Sequence, residues 1–493
     1  MEFIKGASRE QVLLLPECIE DYVGADSLVR VIDAFVNSLD IIGLGFARSE
    51  LKDRIGRPPY DPKDLLKLYV YGYIHRIRSS RRLEAESKRN LEVIWLLNKL
   101  SPDFKTVANF RHDNSKALKG VFRSFVKLCV KLDLYGKELG AIDGSKFKAV
   151  NSRSRNYTQK QLEDRVAKLE GKIKEYLCEM DKNDVEEEAA SGEKTAMEIT
   201  GIVSELTAHK ERYQEYIKEL EEKGEKQKSL TDSESRLMLC NGKMDVSYNV
   251  QTGVDSKHKL VVDFEVSNQG NDKNLITPMT ANMQEILEAE RIAVVTDAGY
   301  ESIQDILSAM RQGVEVHVSG TDFDICVPSE EGESREIHSH HNGRCVYIGE
   351  RNIALCPMGE VLYPATHNAS KDGLGVYKNT AACKQCTNKC TKNARGCFEY
   401  KIPMAKEDFT KEYNDQGLVV KQIRIKADKE LVKQRKSIVE HPFGTLKRGM
   451  DAGYCLTKGL HNVRGEFSLA FLAYNIKRAI NILGCGKLLA AMA

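Results

Sequence analysis

No apolar run in this chain is long enough to span a bilayer, which argues against a transmembrane helix. The opening residues, Met1 to Gly6, lack the apolar core of a signal peptide, so the chain reads as cytosolic. Net charge is also nearly absent: 74 Lys and Arg oppose 72 Asp and Glu, for a formal +2, and this gives no global attraction for nucleic acid. Tryptophan occurs once, at Trp95. Local charge is less even. Residues 56–90 carry nine Lys/Arg against four Asp/Glu, whereas residues 158–230 carry thirteen against nineteen, so the overall balance conceals a basic N-terminal face and an acidic insertion. Cysteine is plentiful: thirteen in a cytosolic chain predict reduced thiols, and a tight cluster of them predicts a metal site rather than disulfides. At 493 residues and 41% hydrophobic content, the chain has the material for about two to four cored domains.

The first 135 residues read as helical. Pro58, Pro59 and Pro62 favour an extended lead-in and a helix start, after which Leu65, Leu66, Tyr69 and Tyr73 recur at helical spacing. Ser79 and Ser80 are candidate caps among Arg76, Arg78, Arg81 and Arg82, and Leu91 to Leu100, with Trp95, reads as a buried helix. A turn at Ser101-Pro102-Asp103 leads to a further helix carrying Thr106, Asn109 and Arg111. Short helices with tight polar turns and basic residues fit a helix-turn-helix-like DNA module, and equally a structural helical domain with a solvated basic face.

From Glu138 the pattern becomes mixed α/β. Leu139 to Ile142 predicts a strand ending at Asp143, residues 248–251 and 260–266 a strand pair, 275–289 a helix, and Ile292 to Val295 a buried strand delivering Asp297 at its C-terminal end. Two insertions interrupt this order. In the first, residues 158–235, Leu162, Val166, Leu169, Ile173, Tyr176 and Met180 form a helical seam. After an acidic stretch, 181–193, a weaker seam follows through Ile202, Leu206, His209, Tyr213 and Tyr216, which predicts an antiparallel helical hairpin; it could pack on a partner subunit or DNA, but its acidic charge is unfavourable for phosphate contact and favours a scaffold role. In the second, 311–425, Cys356, Cys383, Cys386 and Cys390 have spacings that can close a tetrahedral zinc site, with Cys397 or Cys345 as substitutes for one ligand. His338, His340 and His341 could also bind metal, but read first as a solvated polar loop. The catalytic core is then 136–157 with 236–310 and 426–493, ending in an apolar helix from Phe467 to Leu483.

Asp143-Gly144 alone is an ordinary turn signal, and so is Asp297-Ala298-Gly299. Their combination with Glu440, among Arg435, Lys436, Lys447 and Arg448, is more specific. Carboxylates at strand ends plus a third in a basic helix-like segment suit a two-metal phosphoryl-transfer site, whose ions sit about 4 Å apart. In a purely structural helix those cations would be surface ion pairs worth little.

The chain resembles the DDE transposases of bacterial insertion sequences, which have an InsH-type N-terminal domain and a ribonuclease H-like catalytic core. The motifs run from Gly56-Arg57-Pro58-Pro59-Tyr60 through Asn109-Phe110-Arg111, Ile142-Asp143-Gly144, Tyr248-Asn249-Val250-Gln251 and Thr296-Asp297-Ala298-Gly299-Tyr300 to Val439-Glu440-His441-Pro442-Phe443-Gly444. The last two are the most specific. The resemblance implies that Asp143, Asp297 and Glu440 are a catalytic triad holding two Mg²⁺ ions, with Mn²⁺ as a substitute. It also implies that Arg435 and Lys447 contact phosphates near the scissile bond and that the cysteine cluster is a metal-binding insertion. The N-terminal helices, with Arg76, Arg78, Arg81, Arg82, Asn109 and Arg111, would bind terminal inverted repeats. Double-stranded DNA would be the partner, at element ends and target, with a homodimer or larger synaptic assembly on the nucleoid of a bacterial cytoplasm. Pro442 requires the helix bearing Glu440 to kink or to begin near it.

Three other readings compete. A transposase-derived regulator would bind DNA without catalysis, although all three carboxylates and the C-terminal helix are present. A metal-dependent nuclease would cut without strand transfer. A zinc hydrolase would need an open metal position, which four cysteine ligands do not leave.

Overall fold

A computed structural model describes residues 18–47, 58–151, 153–185, 196–225, 227–240, 242–329, 334–337, 344–365, 374–387, 400–403 and 412–492. Gly56 and Arg57, residues 186–193 of the acidic stretch, His338, His340, His341, Cys390 and Cys397 lie outside the described residues.

Six helices come first: α1 (Leu28–Asn37), α2 (Pro62–Ile74), α3 (Ser80–Arg89), α4 (Leu91–Leu96), α5 (Phe104–Asp113) and α6 (Ser115–Lys131). Helix α2 starts where its prolines predict. Pro62 occupies the first turn, where its missing N–H costs nothing, and the Asp61 carboxylate accepts from the Lys63 N–H at 2.7 Å. Leu65, Leu66, Tyr69 and Tyr73 are buried. Ser79 takes the N-cap position of α3 without a side-chain hydrogen bond. Helix α4 departs from expectation. It stops after Leu96 because Asn98 and Lys99 adopt left-handed backbone (φ 49° and 65°), and Trp95 is only half-buried, its indole N–H donating to Glu20 at 2.6 Å.

The central sheet begins with β1 (Leu139–Lys148). The helical hairpin follows as β2 (Asn156–Thr158), α7 (Gln159–Val185), α8 (Ala196–Lys223) and β3 (Gln227–Ser229). Pairing of β2 with β3 closes its base, over a cluster of Tyr157, Leu162 and Leu220 against Tyr213, Tyr216 and Ile217. Further along, Val166, Leu169, Ile173 and Tyr176 are only half-buried between the two helices. The sheet resumes with β4 (Arg236–Cys240), β5 (Lys243–Asp255), β6 (Val261–Ser267), α9 (Ile276–Leu287), β7 (Ile292–Thr296), α10 (Ile303–Arg311) and β8 (Val314–Val318). Strands β4 and β6 share one edge of β5, whose other edge pairs antiparallel with β1. Strand β1 then pairs parallel with β7, and β7 parallel with β8. The second insertion therefore cannot begin at 311 as the sequence reading has it: β8 belongs to this sheet, and what is set apart starts after Val318.

After β8 come β9 (Asp322–Pro328), β10 (Ser334–Ile337), β11 (Cys345–Ile348), β12 (Ile353–Leu355), β13 (Val361–Pro364), β14 (Leu374–Lys378), α11 (Thr380–Gln385), β15 (Tyr400–Pro403) and β16 (Val420–Lys426). Strands β10 to β15 form an antiparallel meander in chain order, while β16 returns to pair with β9. The chain ends in α12 (Lys429–Gly444), α13 (Leu460–Leu483) and α14 (Cys485–Met492).

Helix α13 packs against α2, α5, α6 and β6, and its buried face joins the N-terminal helices and the central sheet in one continuous apolar cluster. Its Asn475 amide donates to the Val261 carbonyl (2.8 Å) and accepts from the Val261 N–H (3.0 Å), satisfying both backbone groups of Val261 at the start of β6. No helix of the described residues is long and apolar enough to cross a membrane.

Candidate active site

The register of the two parallel strands places the first two acids. Leu139, Gly140 and Ala141 of β1 stand beside Ala293, Val294 and Val295 of β7, so two residues further on Asp143 is level with Asp297. Side chains alternate faces and adjacent strands lie about 4.8 Å apart, so these two carboxylates leave the sheet on the same side as neighbours. Strand β7 ends at Thr296, where Asp297 turns the chain: its carboxylate accepts from the Gly299 N–H at 2.9 Å and caps the short 3₁₀ turn Ala298–Tyr300. Strand β1 does not end at Asp143 as expected. It runs on to Lys148 because β5 continues to pair with it, opposing Gly144 with Gln251 and Lys146 with Asn249.

Helix α12 lies over the sheet, against β1, β5, β7 and β8. The Asp428 carboxylate caps its first turn (2.7 Å to the Glu430 N–H), His317 Nδ1 accepts from the Asp428 N–H at 3.1 Å, and His441 hydrogen-bonds the Tyr474 hydroxyl at 2.8 Å. So held, the helix brings Arg435 Nη1 to 3.3 Å from Asp143 Oδ2. Burial pushes the Asp143 carboxyl up to about 6; Arg435 and the Gly144 N–H oppose the rise, and the charges of Asp297 and Asp272 add to it. Beyond the helix, Lys447 Nζ donates to Ser145 Oγ at 2.6 Å and sits 4.7 Å from the Phe147 ring centroid. Burial holds the Lys447 ammonium below its ordinary pKa, against the pull of Cys240 and Asp143.

Glu440 does not join the two aspartates. It stands five positions along from Arg435, roughly 140° around a helix, and it is exposed beside Lys436. Among the described residues no group of three or more His, Cys, Asp or Glu side chains is placed to hold a metal ion. Pro442 neither starts the helix nor ends it. Helix α12 runs through it to Gly444, and the wider π turn Thr445–Gly449 takes up the chain next, two turns after the Ile438 carbonyl whose partner the proline removes.

The basic residues of the N-terminal helices divide into two sets. Arg76, Arg81, Arg82 and Asn109 are exposed, with the Arg81 guanidinium 4.7 Å from the Phe104 ring centroid. Arg78 and Arg111 turn inward, which corrects their assignment to a DNA-facing surface. Arg78 is 5% exposed, paired with Glu466 at 3.1 Å and donating to the Tyr454 carbonyl at 2.9 Å; Arg111 reaches the Arg78 carbonyl and lies over the Tyr69 ring. Of the cysteines, Cys356 is buried at a turn after β12, Cys383 lies on α11 and Cys386 follows it directly.

Sequence reasoning gave Asp272 no role. In the structure its carboxylate accepts from Asn249 and Gln251, each at 2.6 Å, and pairs with Lys146 at 3.1 Å, close enough to Asp143 to raise its pKa. A signal was present: Ser247, Asn249 and Gln251 alternate with apolar residues in a central strand, a buried polar stripe that requires a partner.

Residues 17–113 match the Transposase domain family (DUF772), and residues 355–480, with Arg435, Glu440, Lys447 and the cysteine cluster, match the Transposase DDE domain family. Two separate stretches of the chain are thus each similar to a transposase domain, the second of the DDE kind. No curated protein matches the chain. Among solved structures, a cryo-EM synaptic complex of piggyBac transposase with hairpin DNA aligns with 95% of the chain and 80% of its own, at 8% identity and a TM-score of 0.28, too low to carry an argument.

Proposed function

We propose that this transposase binds the terminal inverted repeats of an insertion sequence as double-stranded DNA and cuts and joins strands by metal-dependent phosphoryl transfer. The observation that carries the reading is the pair Asp143 and Asp297, level with one another on two parallel strands, Asp143 within β1 and Asp297 just past the C-terminal end of β7. Three antiparallel strands, β6, β5 and β1, followed by parallel β7 and β8, support a ribonuclease H-like core. Exposed Arg76, Arg81, Arg82 and Asn109 support an N-terminal surface for element ends. Two ends must be held together, which favours a homodimer or larger synaptic assembly in the bacterial cytoplasm, on the nucleoid.

The donor chemistry fits Mg²⁺ or Mn²⁺. Carboxylate oxygens suit hard divalent cations, and the Arg435 guanidinium beside Asp143 already occupies the place of a positive charge. Asp143 and Asp297 would hold such ions from the sheet, whereas Glu440, on the exposed face of α12, is not placed to join them. When bound, two ions supply an activated oxygen nucleophile and a stabilised leaving oxygen at the phosphodiester. Arg435 and Lys447 would hold phosphate oxygens along β1. Hydrolysis frees a 3′-hydroxyl at the element end. That hydroxyl then attacks a target phosphodiester, forming one P–O bond as the target's P–O3′ bond breaks.

With labelled end duplexes, a target plasmid and Mg²⁺, purified protein is expected to give 3′-hydroxyl ends and joined products. Cleavage without joining would leave a nuclease; end binding with neither would leave a regulator.

A structural zinc ion in the second insertion, held by Cys356, Cys383, Cys386 and Cys390, is part of the same reading. Its support is local. The Cys356–Gly359 turn is closed by a Gly359 N–H bond to the Cys356 carbonyl at 3.0 Å, and Asn379, which caps the helix carrying Cys383, donates to Val361 in the strand that follows this turn. Protein purified without chelator is expected to contain about one zinc per chain, lost in Cys386→Ser together with stability of this insertion. A zinc-free protein whose thiols all react with alkylating agent would refute it.

A further inference from the structure

We propose that Asp272 is the positioning residue that fixes the two aspartates relative to each other, an inference resting on the function proposed above. It lies in the connection between β6 and α9, outside both strands that carry the acids. Three donors converge on its Oδ1: Asn249 Nδ2 at 2.6 Å, Gln251 Nε2 at 2.6 Å and Lys146 Nζ at 3.1 Å. Three converging donors, one of them a lysine ammonium, make this oxygen a strongly held acceptor. Both amides are fully buried on β5, opposite Gly144 and Lys146, the residues that follow Asp143. Gly144 has no side chain because a Cβ there would run into the Gln251 amide.

The bond to Asp272 also sets which end of Gln251 faces which neighbour. With Nε2 committed to Asp272, Gln251 Oε1 faces the other way and accepts from the Tyr300 hydroxyl. Tyr300 is buried and closes the turn begun by Asp297, its N–H 3.3 Å from the Asp297 carbonyl. An unbroken chain of hydrogen bonds, Lys146 of β1 to Asp272 to Gln251 to Tyr300, thus joins the strand of Asp143 to the turn of Asp297. The loop of Asp272 comes close to that turn as well. A Cβ on Gly299 would stand 3.0 Å from Asp297 Oδ1 and 3.8 Å from Asp272 Oδ2. Carboxylates that hold a cation gain affinity when hydrogen-bonded neighbours fix their orientation, and removing such a neighbour typically weakens metal binding by about 10–100-fold.

The test measures Mn²⁺ binding to DNA-free, full-length protein by calorimetry and electron paramagnetic resonance, with end-DNA affinity and the thermal midpoint measured on the same samples. Asp272→Asn keeps the shape and removes the charge; Tyr300→Phe deletes one hydroxyl and breaks the chain's last link. The expected result is Mn²⁺ affinity about tenfold or more weaker in Asp272→Asn and weaker to a smaller degree in Tyr300→Phe, with DNA affinity and thermal midpoint unchanged. Should Asp272→Asn fail to fold, Tyr300→Phe decides alone. Wild-type Mn²⁺ affinity in these variants, with binding lost in Asp297→Asn, overturns the role of Asp272 and leaves the proposed function standing. Parallel loss of Mn²⁺ binding, DNA binding and thermal midpoint makes Asp272 a general structural residue and also overturns it. Wild-type Mn²⁺ affinity in Asp297→Asn itself counts against the function.

Discussion

Asp143→Asn and Asp297→Asn are each expected to lower Mg²⁺-dependent cleavage of end DNA on the order of a thousandfold or more, while end binding stays within about twofold. Each substitution is nearly isosteric, so the level arrangement of β1 and β7 survives; what disappears is one negative charge from a pair whose mutual repulsion a divalent cation relieves. The pH dependence has a definite sign. With the Asp143 carboxyl pushed up to about 6, protons compete with metal for it, so wild-type cleavage should fall as pH drops through that value. The complementary variant, Arg81→Ala/Arg82→Ala, removes two exposed guanidinium groups far from these acids in sequence. It should weaken end binding and reduce the slope of log affinity against log salt by roughly 0.9 for each phosphate that is no longer neutralised. Gel-shift titrations at two salt concentrations and a cleavage assay on the same duplex separate the two effects. Undiminished cleavage by Asp297→Asn would remove the catalytic assignment, and undiminished binding by the double arginine variant would move the DNA surface elsewhere on the N-terminal helices.

Asp297 was legible in the sequence because a short β-branched run, Ile292 to Val295, stops at an Asp-Ala-Gly turn, and the local chemistry alone sets the strand end. Asp143 was legible as a site but not as a position within its strand. Asp143-Gly144 reads as a turn, yet β5 supplies partners well past the point where β7 stops, and that extent is a long-range fact. The arginines show the same limit more sharply. Arg78 and Arg81 have similar neighbours in sequence, but Glu466, 388 residues away, draws the first inward while the second stays exposed. Asp272 was passed over because a polar loop aspartate is unremarkable until the amides of Asn249 and Gln251 are seen to converge on it. Glu440 matched its motif, but a motif fixes spacing along the chain and not the azimuth of a helix; the face that α12 turns to the sheet is set by Ile438, Val439 and Phe443.

Glu466→Ala is expected to cost about 3–5 kcal/mol of stability, the largest loss for a single substitution outside the acidic site. Glu466 is 2% exposed on α13 and works at full capacity: it accepts from Arg78 Nη1, from the Leu456 and Thr457 N–H groups at 3.0 to 3.1 Å, and from the Thr457 hydroxyl at 2.8 Å. Truncation would leave a buried guanidinium without its counter-charge and two backbone donors without acceptors, penalties that repacking of a small void cannot offset. The same pair ties the start of α3, which carries Arg81 and Arg82, to the 454–457 loop. That loop is joined to the end of β1 through the Cys455 N–H and the Lys148 carbonyl at 2.8 Å. Replacing both partners with apolar residues, Arg78→Met/Glu466→Met, removes the unpaired charge as well as the bond. It should therefore recover much of the stability that Glu466→Ala loses, whereas end binding should not recover if this joint sets the angle between the DNA-facing helices and the sheet. Denaturation followed by tryptophan fluorescence suits the comparison, since Trp95 is the sole tryptophan and lies in the N-terminal helices. A double variant no more stable than Glu466→Ala would mean that the carboxylate matters for its backbone contacts alone and that the ion pair contributes little.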